Sequence, residues 1–138
     1  MIIKVDMREK GLIEALTHNA GNTGEGKVTV SIEALPLGDC IIQDEDGRER
    51  CIIERKTLKD LAASIRDGRY AEQSFRLSEC SVHNHHVVYL IEGDLDTYVP
   101  GRLKIAKDAL MSSFVTLNFY KGFSVHRTQT VAESASWL

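Results

Sequence analysis

Apolar and polar residues change rhythm several times along this chain, and each rhythm names an element. Ile2-Ile3-Lys4-Val5-Asp6 is a short, mostly apolar run that reads as a strand. Leu12, Ile13 and Leu16 then recur at helical spacing and predict a helix from about Arg8 to Asn19. Gly21-Asn22-Thr23-Gly24-Glu25-Gly26 is a loop, without the strand-to-helix context that turns a glycine-rich stretch into a phosphate cradle. From Lys27 to Leu35, Val28, Val30, Ile32 and Ala34 alternate with Thr29, Ser31 and Glu33, which predicts a half-buried strand stopped by Pro36.

Next come the apolar run Leu37-Gly38-Asp39-Cys40-Ile41-Ile42, a polar tip Asp44-Glu45-Asp46-Gly47, and a second apolar run from Cys51 that ends in Glu54-Arg55-Lys56-Thr57. Two such runs around a short tip ending in glycine predict a β-hairpin. The hairpin feeds into a helix capped by Thr57, whose apolar stripe is Leu58, Leu61, Ala62 and Ile65. After a break at Asp67-Gly68-Arg69-Tyr70, a second helix from about Arg69 to Cys80 turns Phe75 and Leu77 inward. Val87-Val88-Tyr89-Leu90-Ile91-Glu92 is continuously apolar up to its last residue, as expected of a strand covered on both faces of a sheet. A long helix from Arg102 to about Tyr120 carries Leu103, Ala106, Leu110, Phe114 and Leu117. Gly122 ends it, Phe123–Arg127 is a last short strand, and Thr128-Gln129-Thr130 caps a closing helix with Val131, Ala132, Ala135, Trp137 and Leu138. The large hydrophobes at its end must pack on the core, on a second subunit or on an appended domain. The fold class is therefore α/β, a central mixed sheet with the hairpin near its middle and helices on both faces.

Composition changes this picture little, and charge changes it somewhat. A chain of 138 residues, 43% hydrophobic and 27% charged, suits one globular domain. Its net charge is −3, so any contact with nucleic acid has to rest on a local basic face rather than on overall attraction. The three cysteines, Cys40, Cys51 and Cys80, are odd in number and follow no signal peptide, which fits a reduced intracellular compartment. No run approaches the length of a membrane span, so no membrane partner is expected. His83, His85 and His86 invite a zinc reading, but the four spaced ligands of a structural zinc site are missing, and a polar loop explains them.

The hairpin holds the chemistry. Residues equidistant from a hairpin turn lie across from one another, so Asp39 at the start of one strand should meet Glu54 near the end of the other. Side chains alternate along a strand, so Lys56 should lie on the side of Glu54 and Arg55 on the opposite side. Facing carboxylates repel unless something positive lies between them. Two carboxylates and an ammonium can hold a divalent cation of the Mg²⁺ type and place a water beside Lys56 for attack on phosphorus. Asp60, three residues after the cap, adds an acidic group in the first helical turn, or serves only the cap itself.

Gly38-Asp39, Glu54-Arg55-Lys56 and Asp60 resemble the GD…ERK…D signature of the nuclease domain of the XPF and Mus81 structure-specific endonucleases, the ERCC4 domain, a variant of the restriction-endonuclease-like PD-(D/E)xK site. Val5-Asp6-Met7-Arg8-Glu9 resembles that family's VDxRE segment, Asp67-Gly68-Arg69-Tyr70 with Gln73 and Arg76-Leu77 its DGR(Y/F)xxQxxRL segment, and Tyr89–Gly93 its YLIEG strand. The resemblance implies a restriction-endonuclease-like core and a single ERCC4-type nuclease domain over residues 1–138, without the helix-hairpin-helix module usual in the family. It implies that Asp39 and Glu54 bind Mg²⁺ or Mn²⁺, with Asp6 sharing or supporting the site unless it is simply the cap of the first helix. Arg8 would meet a phosphate or order the carboxylates, Lys56 would orient the attacking water, and Arg55 would hold local structure or a phosphate. Arg69, Gln73 and Arg76 would contact DNA, where the residues alone would equally make a solvated helix face. The implied activity is a one-strand cut near the junction of 3′ flaps, forks or related branched DNA, in an intracellular, DNA-associated setting and in a homodimer or heterodimer paired through the C-terminal part. A Holliday-junction resolvase, a non-catalytic partner subunit and a DNA-binding module are the alternatives.

Overall fold

The computed structural model describes residues 1–20, 28–67, 76–77, 82–100 and 105–138. Among them, β1 (Ile2–Asp6), β2 (Thr29–Glu33), β3 (Cys40–Gln43), β4 (Glu49–Thr57), β5 (Val87–Glu92) and β6 (Ser124–Thr128) form one mixed sheet in the order β2-β1-β3-β4-β5-β6. β3 is antiparallel to both β1 and β4, whereas the β1–β2, β4–β5 and β5–β6 pairs are parallel. The β3–β4 hairpin thus occupies the middle of the sheet. Helices α1 (Lys10–Ala20), α2 (Leu58–Asp67), α3 (Lys107–Val115) and α4 (Val131–Trp137) flank it.

Period-two alternation divides the core between the two faces. Ile41, Ile52, Val87, Tyr89 and Ile91 point to one face, where Leu58, Leu61 and Ala62 of α2 and Leu110 of α3 cover them. Cys40, Ile53, Val88 and Leu90 point to the other, under Leu12 and Leu16 of α1 and Ala135 of α4. Every residue of β5 is buried, as its unbroken apolar run requires. Cys40 is a fully buried core residue and Cys51 a half-buried one, both free thiols.

Three expectations meet a different structure. β2 alternates as a half-buried strand should, yet Val28 and Ile32 are 48% and 55% exposed. It lies at the sheet edge, with only β1 beside it, so alternation finds no partner layer to cover it. α1 starts at Lys10 rather than Arg8, because the Asp6 carboxylate accepts the Arg8 N–H and the Asp6 carbonyl accepts the Glu9 N–H, which makes Met7-Arg8 a turn. α3 starts at Lys107, with Ala106 extended and exposed as its cap rather than in the core, and it runs on into a π-helical turn at Thr116–Tyr120. In that turn the Lys121 N–H reaches the Thr116 carbonyl at 3.0 Å. Of the helix expected over 69–80, Arg76 and Leu77 are helical and the rest lies outside the described residues. No helix among the described residues is long and apolar enough to cross a membrane.

Candidate active site

The entry into β3 sets the site. Gly38 has φ +77°, and a Cβ there would come within 2.6 Å of Ile52 Cγ2 and 3.3 Å of the Ile53 carbonyl, so only glycine fits without displacing β4. The next residue, Asp39, is clamped by its backbone: its N–H donates to the Ile53 carbonyl at 2.8 Å and its carbonyl accepts from Asp6 N at 2.9 Å. Cys40 pairs with Ile53 and Ile41 with Ile52, and the same register continued puts Asp39 opposite Glu54. Both share a face with Ile41 and Ile52, the face that α2 covers.

Lys56 lies on that face too, 7% exposed, its Nζ donating to the Oγ of Ser64 on α2 at 3.1 Å. Arg55 points the other way. Its guanidinium bonds Glu9 (Nη1 to Oε2, 2.7 Å) and both oxygens of Glu92 (2.6 and 3.2 Å), so it organises the interior and is not free to meet a phosphate. Its main-chain N–H donates to Asp39 Oδ2 at 2.8 Å. Thr57 caps α2 by accepting the Asp60 N–H, which sets Asp60 at the rim. The result is a cleft of about 500 Å³ lined by Arg8, Glu9, Asp39, Glu54, Lys56 and Arg76, with Asp60 and Ser64 at its margin.

The electrostatics of this cleft are those of crowded acids. Burial, then the charges of Glu54 and Glu9, push the Asp39 carboxyl up from its ordinary 3.8 to about 8, against the opposing Arg55 N–H. Burial also raises Glu54, although Lys56 works against it. A hard divalent cation would relieve both. The facing pair Asp39 and Glu54 has the kind of oxygen donors that Mg²⁺ or Mn²⁺ takes, while Glu9 is engaged with Arg55. Among the described residues no group of three or more His, Cys, Asp or Glu side chains is placed to hold a metal ion by itself. Mg²⁺ commonly keeps several waters and takes only one or two carboxylates together with substrate phosphate.

Asp6, expected to share or support the site, has its carboxylate fully engaged within the protein. Its Oδ1 accepts the Arg8 main-chain N–H and Nε, both at 2.9 Å, and its Oδ2 accepts Arg8 Nη2 at 3.2 Å and the Leu35 N–H at 3.0 Å. These four donors use the lone-pair sites of a carboxylate that is only 2% exposed, and Arg8 holds it well below the usual carboxylate range. Asp6 instead aims Arg8, whose side chain is 78% exposed, at the rim of the cleft. Arg76 reaches the same rim, donating to the Pro36 carbonyl at 3.3 Å. Arg69 and Gln73 lie outside the described residues.

Glu9 is the site residue that sequence reasoning passed over. It comes from the turn before α1, and only the fold brings it to Arg55, 46 positions later. The available signal was its place beside Arg8 in Val5-Asp6-Met7-Arg8-Glu9.

A model of the ERCC4 domain matches residues 5–138, nearly the whole chain. The chain belongs to the ERCC4 domain family. This ERCC4 domain is 38% identical over 117 residues to a crossover junction endonuclease MUS81 of Eremothecium gossypii, covering 80% of this chain and 18% of that protein. It is 39% identical over 123 residues to a structure-specific endonuclease subunit MUS81 of Mus musculus, covering 81% and 21%. Among solved structures, XPF from Aeropyrum pernix superposes with a TM-score of 0.74 at 28% identity, over 99% of this chain and 61% of that one. The same protein in complex with DNA gives 0.70 at 25%, over 99% and 60%. The core is thus the restriction-endonuclease-like fold of the XPF nucleases, and the chain spans about a fifth of the length of its curated relatives.

Proposed function

We propose that this ERCC4 domain is a Mg²⁺- or Mn²⁺-dependent DNA endonuclease that hydrolyses a phosphodiester in one strand near the junction of 3′ flaps, forks or related branched DNA. One observation carries the reading: two half-buried carboxylates with raised proton affinity face each other beside a sequestered lysine, in a cleft with arginines at its rim. Relatives named as crossover junction and structure-specific endonucleases support it, as does a structural neighbour solved with DNA.

Asp39 and Glu54 would hold the cation with Glu9 at its side, and when bound it polarises a phosphoryl oxygen and makes a bound water more acidic. Ser64 takes one of the three donors of Lys56, which leaves the others to orient the attacking water and to offset charge gathering on the phosphate. Arg8 and Arg76 hold the neighbouring phosphates, a shape-directed contact that carries no base identity. With a net charge of −3, contact with DNA has to rest on this local positive rim rather than on overall attraction. The same reading pairs the chain with a second subunit through its C-terminal part. There Met111, Val115 and Phe119, spaced four apart along α3 and its π turn, are 49%, 57% and 77% exposed, and Trp137 is 40% exposed.

Cleavage of end-labelled 3′-flap, fork, four-way-junction and plain duplex DNA, with Mg²⁺, Mn²⁺ or EDTA, tests the reading. Metal-dependent nicking near the flap junction is expected, falling ~100-fold or more in Asp39→Ala and Lys56→Ala. Symmetrical cuts in the four-way junction would make it a resolvase. No cleavage by a folded, paired chain would make it a partner subunit.

A further inference from the structure

A buried polar chain leads from the last helix to the cleft. Ser134 of α4, fully buried, donates to Glu92 Oε1 at 2.8 Å. Its Oγ also lies 2.6 Å from the hydroxyl of Thr128, itself 2% exposed. Glu92, 8% exposed at the end of β5, grips Arg55 through both its oxygens, and Arg55 in turn bonds Glu9 at 2.7 Å and, through its main chain, Asp39. Five residues from α4, β5, β4, the α1 turn and the β3 entry are thereby joined by consecutive hydrogen bonds.

This chain is more than packing, because each link limits the next. Glu92 Oε1 is shared by Ser134 and by Arg55 Nε, whose bond is the longest of the guanidinium's three at 3.2 Å. A carboxylate held at both ends is fixed in rotation, and it fixes the planar guanidinium it grips. The remaining nitrogen, Nη1, then sets Glu9 against Asp39, where a small displacement alters how closely the acids crowd. The chain also starts on α4, whose outer end carries the stack of Trp137 on His126, ring centroids 4.6 Å apart.

We propose that Ser134 is a positioning residue for the cleft carboxylates, acting through Glu92 and Arg55 on Glu9, so that the seat of the C-terminal helix sets the cation affinity of the site. The proposal rests on the nuclease reading for what the cleft binds, and goes beyond it in assigning control to a residue on the far side of the sheet.

The test uses the full chain with Mn²⁺ as probe and no DNA. Titration calorimetry should show Ser134→Ala binding Mn²⁺ roughly 3- to 10-fold more weakly, the equivalent of one hydrogen bond. Cleavage at saturating Mn²⁺ should keep its kcat and its KM for DNA, with only the metal requirement shifted. In the metal-free protein, the Arg55 Nε–H should exchange with solvent faster in Ser134→Ala. Glu133→Ala is the control for helix stability: it removes a capping carboxylate that accepts the Gln129 N–H, and leaves the chain to Glu92 intact. It should lower Tm without moving Mn²⁺ affinity or Arg55 exchange. Equal Mn²⁺ affinity and equal Arg55 exchange in Ser134→Ala and the unsubstituted protein would overturn the proposal, as would an equal affinity loss in Glu133→Ala. An unsubstituted chain that takes up no Mn²⁺ would instead sink the nuclease reading, and the Arg55 exchange data would still decide whether Ser134 positions Arg55.

Discussion

The two faces of β4 differ more than their neighbouring residue numbers suggest. Arg55 and the carboxylates around it form a closed set in which every charge has opposite partners at hydrogen-bond distance. One residue to either side, Glu54 and Lys56 share a face with Asp39 and a cleft that holds more acid than its one nearby lysine can offset. One strand thus carries a satisfied face and a frustrated one. A satisfied buried network serves structure, whereas a frustrated one persists only when a further group completes it.

The largest effect expected from this contrast is on stability, and it should be one-sided. Glu92→Ala removes both guanidinium contacts from Arg55 and the acceptor from Ser134, so denaturant unfolding should show a loss of about 2–4 kcal/mol. Glu54→Ala removes a carboxylate of the same charge from the opposite face. In EDTA it should cost little or even stabilise, because it relieves Asp39. Equal losses in the two variants would erase the distinction between the faces.

The contrast was partly legible in the sequence. The opposition of Asp39 and Glu54 and the separation of Arg55 from Lys56 need only a turn position and a period of two, and both are local properties of 39–56. Glu9 was not legible in that way, because it reaches Arg55 only after β1 has paired with β3 in the folded sheet. Asp6 was ambiguous for a related reason: an aspartate two residues before a turn N–H is as able to build the turn as to serve a metal, and residue type does not say which. The exposure of Ile32 shows the same limit, since alternation reveals an apolar face but not whether a layer lies over it.

The frustrated face should also have a pH signature. Asp39 is raised from 3.8 to about 8 in the folded chain, so folding favours its protonated form. Its contribution to stability is therefore complete below about pH 4 and is lost as pH rises toward 8. Asp39→Asn keeps an acceptor for the Arg55 N–H and removes the charge. In EDTA its stability gain should be near zero at pH 4 and grow to about 1–2 kcal/mol by pH 8.5, measured as Tm or denaturant midpoint. A gain that does not change with pH would show that crowding of charge is not its source.

The smallest effect concerns the rim, where a satisfied pair serves an open surface. Asp6 is buried and fully bonded, yet the guanidinium it grips is 78% exposed, so their contact orients Arg8 more than it hides it. Arg8→Lys keeps the charge but loses the two-pronged grip of Nε and Nη2 on Asp6. On a branched duplex in EDTA, Arg8→Ala should reduce the slope of log affinity against log salt by about 1, the loss of one phosphate contact. Arg8→Lys should keep that slope and weaken binding only ~2- to 5-fold, the cost of a cation no longer held in place. If instead the lysine variant loses the slope as the alanine does, the charge reaches DNA only when Asp6 aims it. The satisfied pair would then belong to the binding surface as fully as the frustrated acids belong to the cleft.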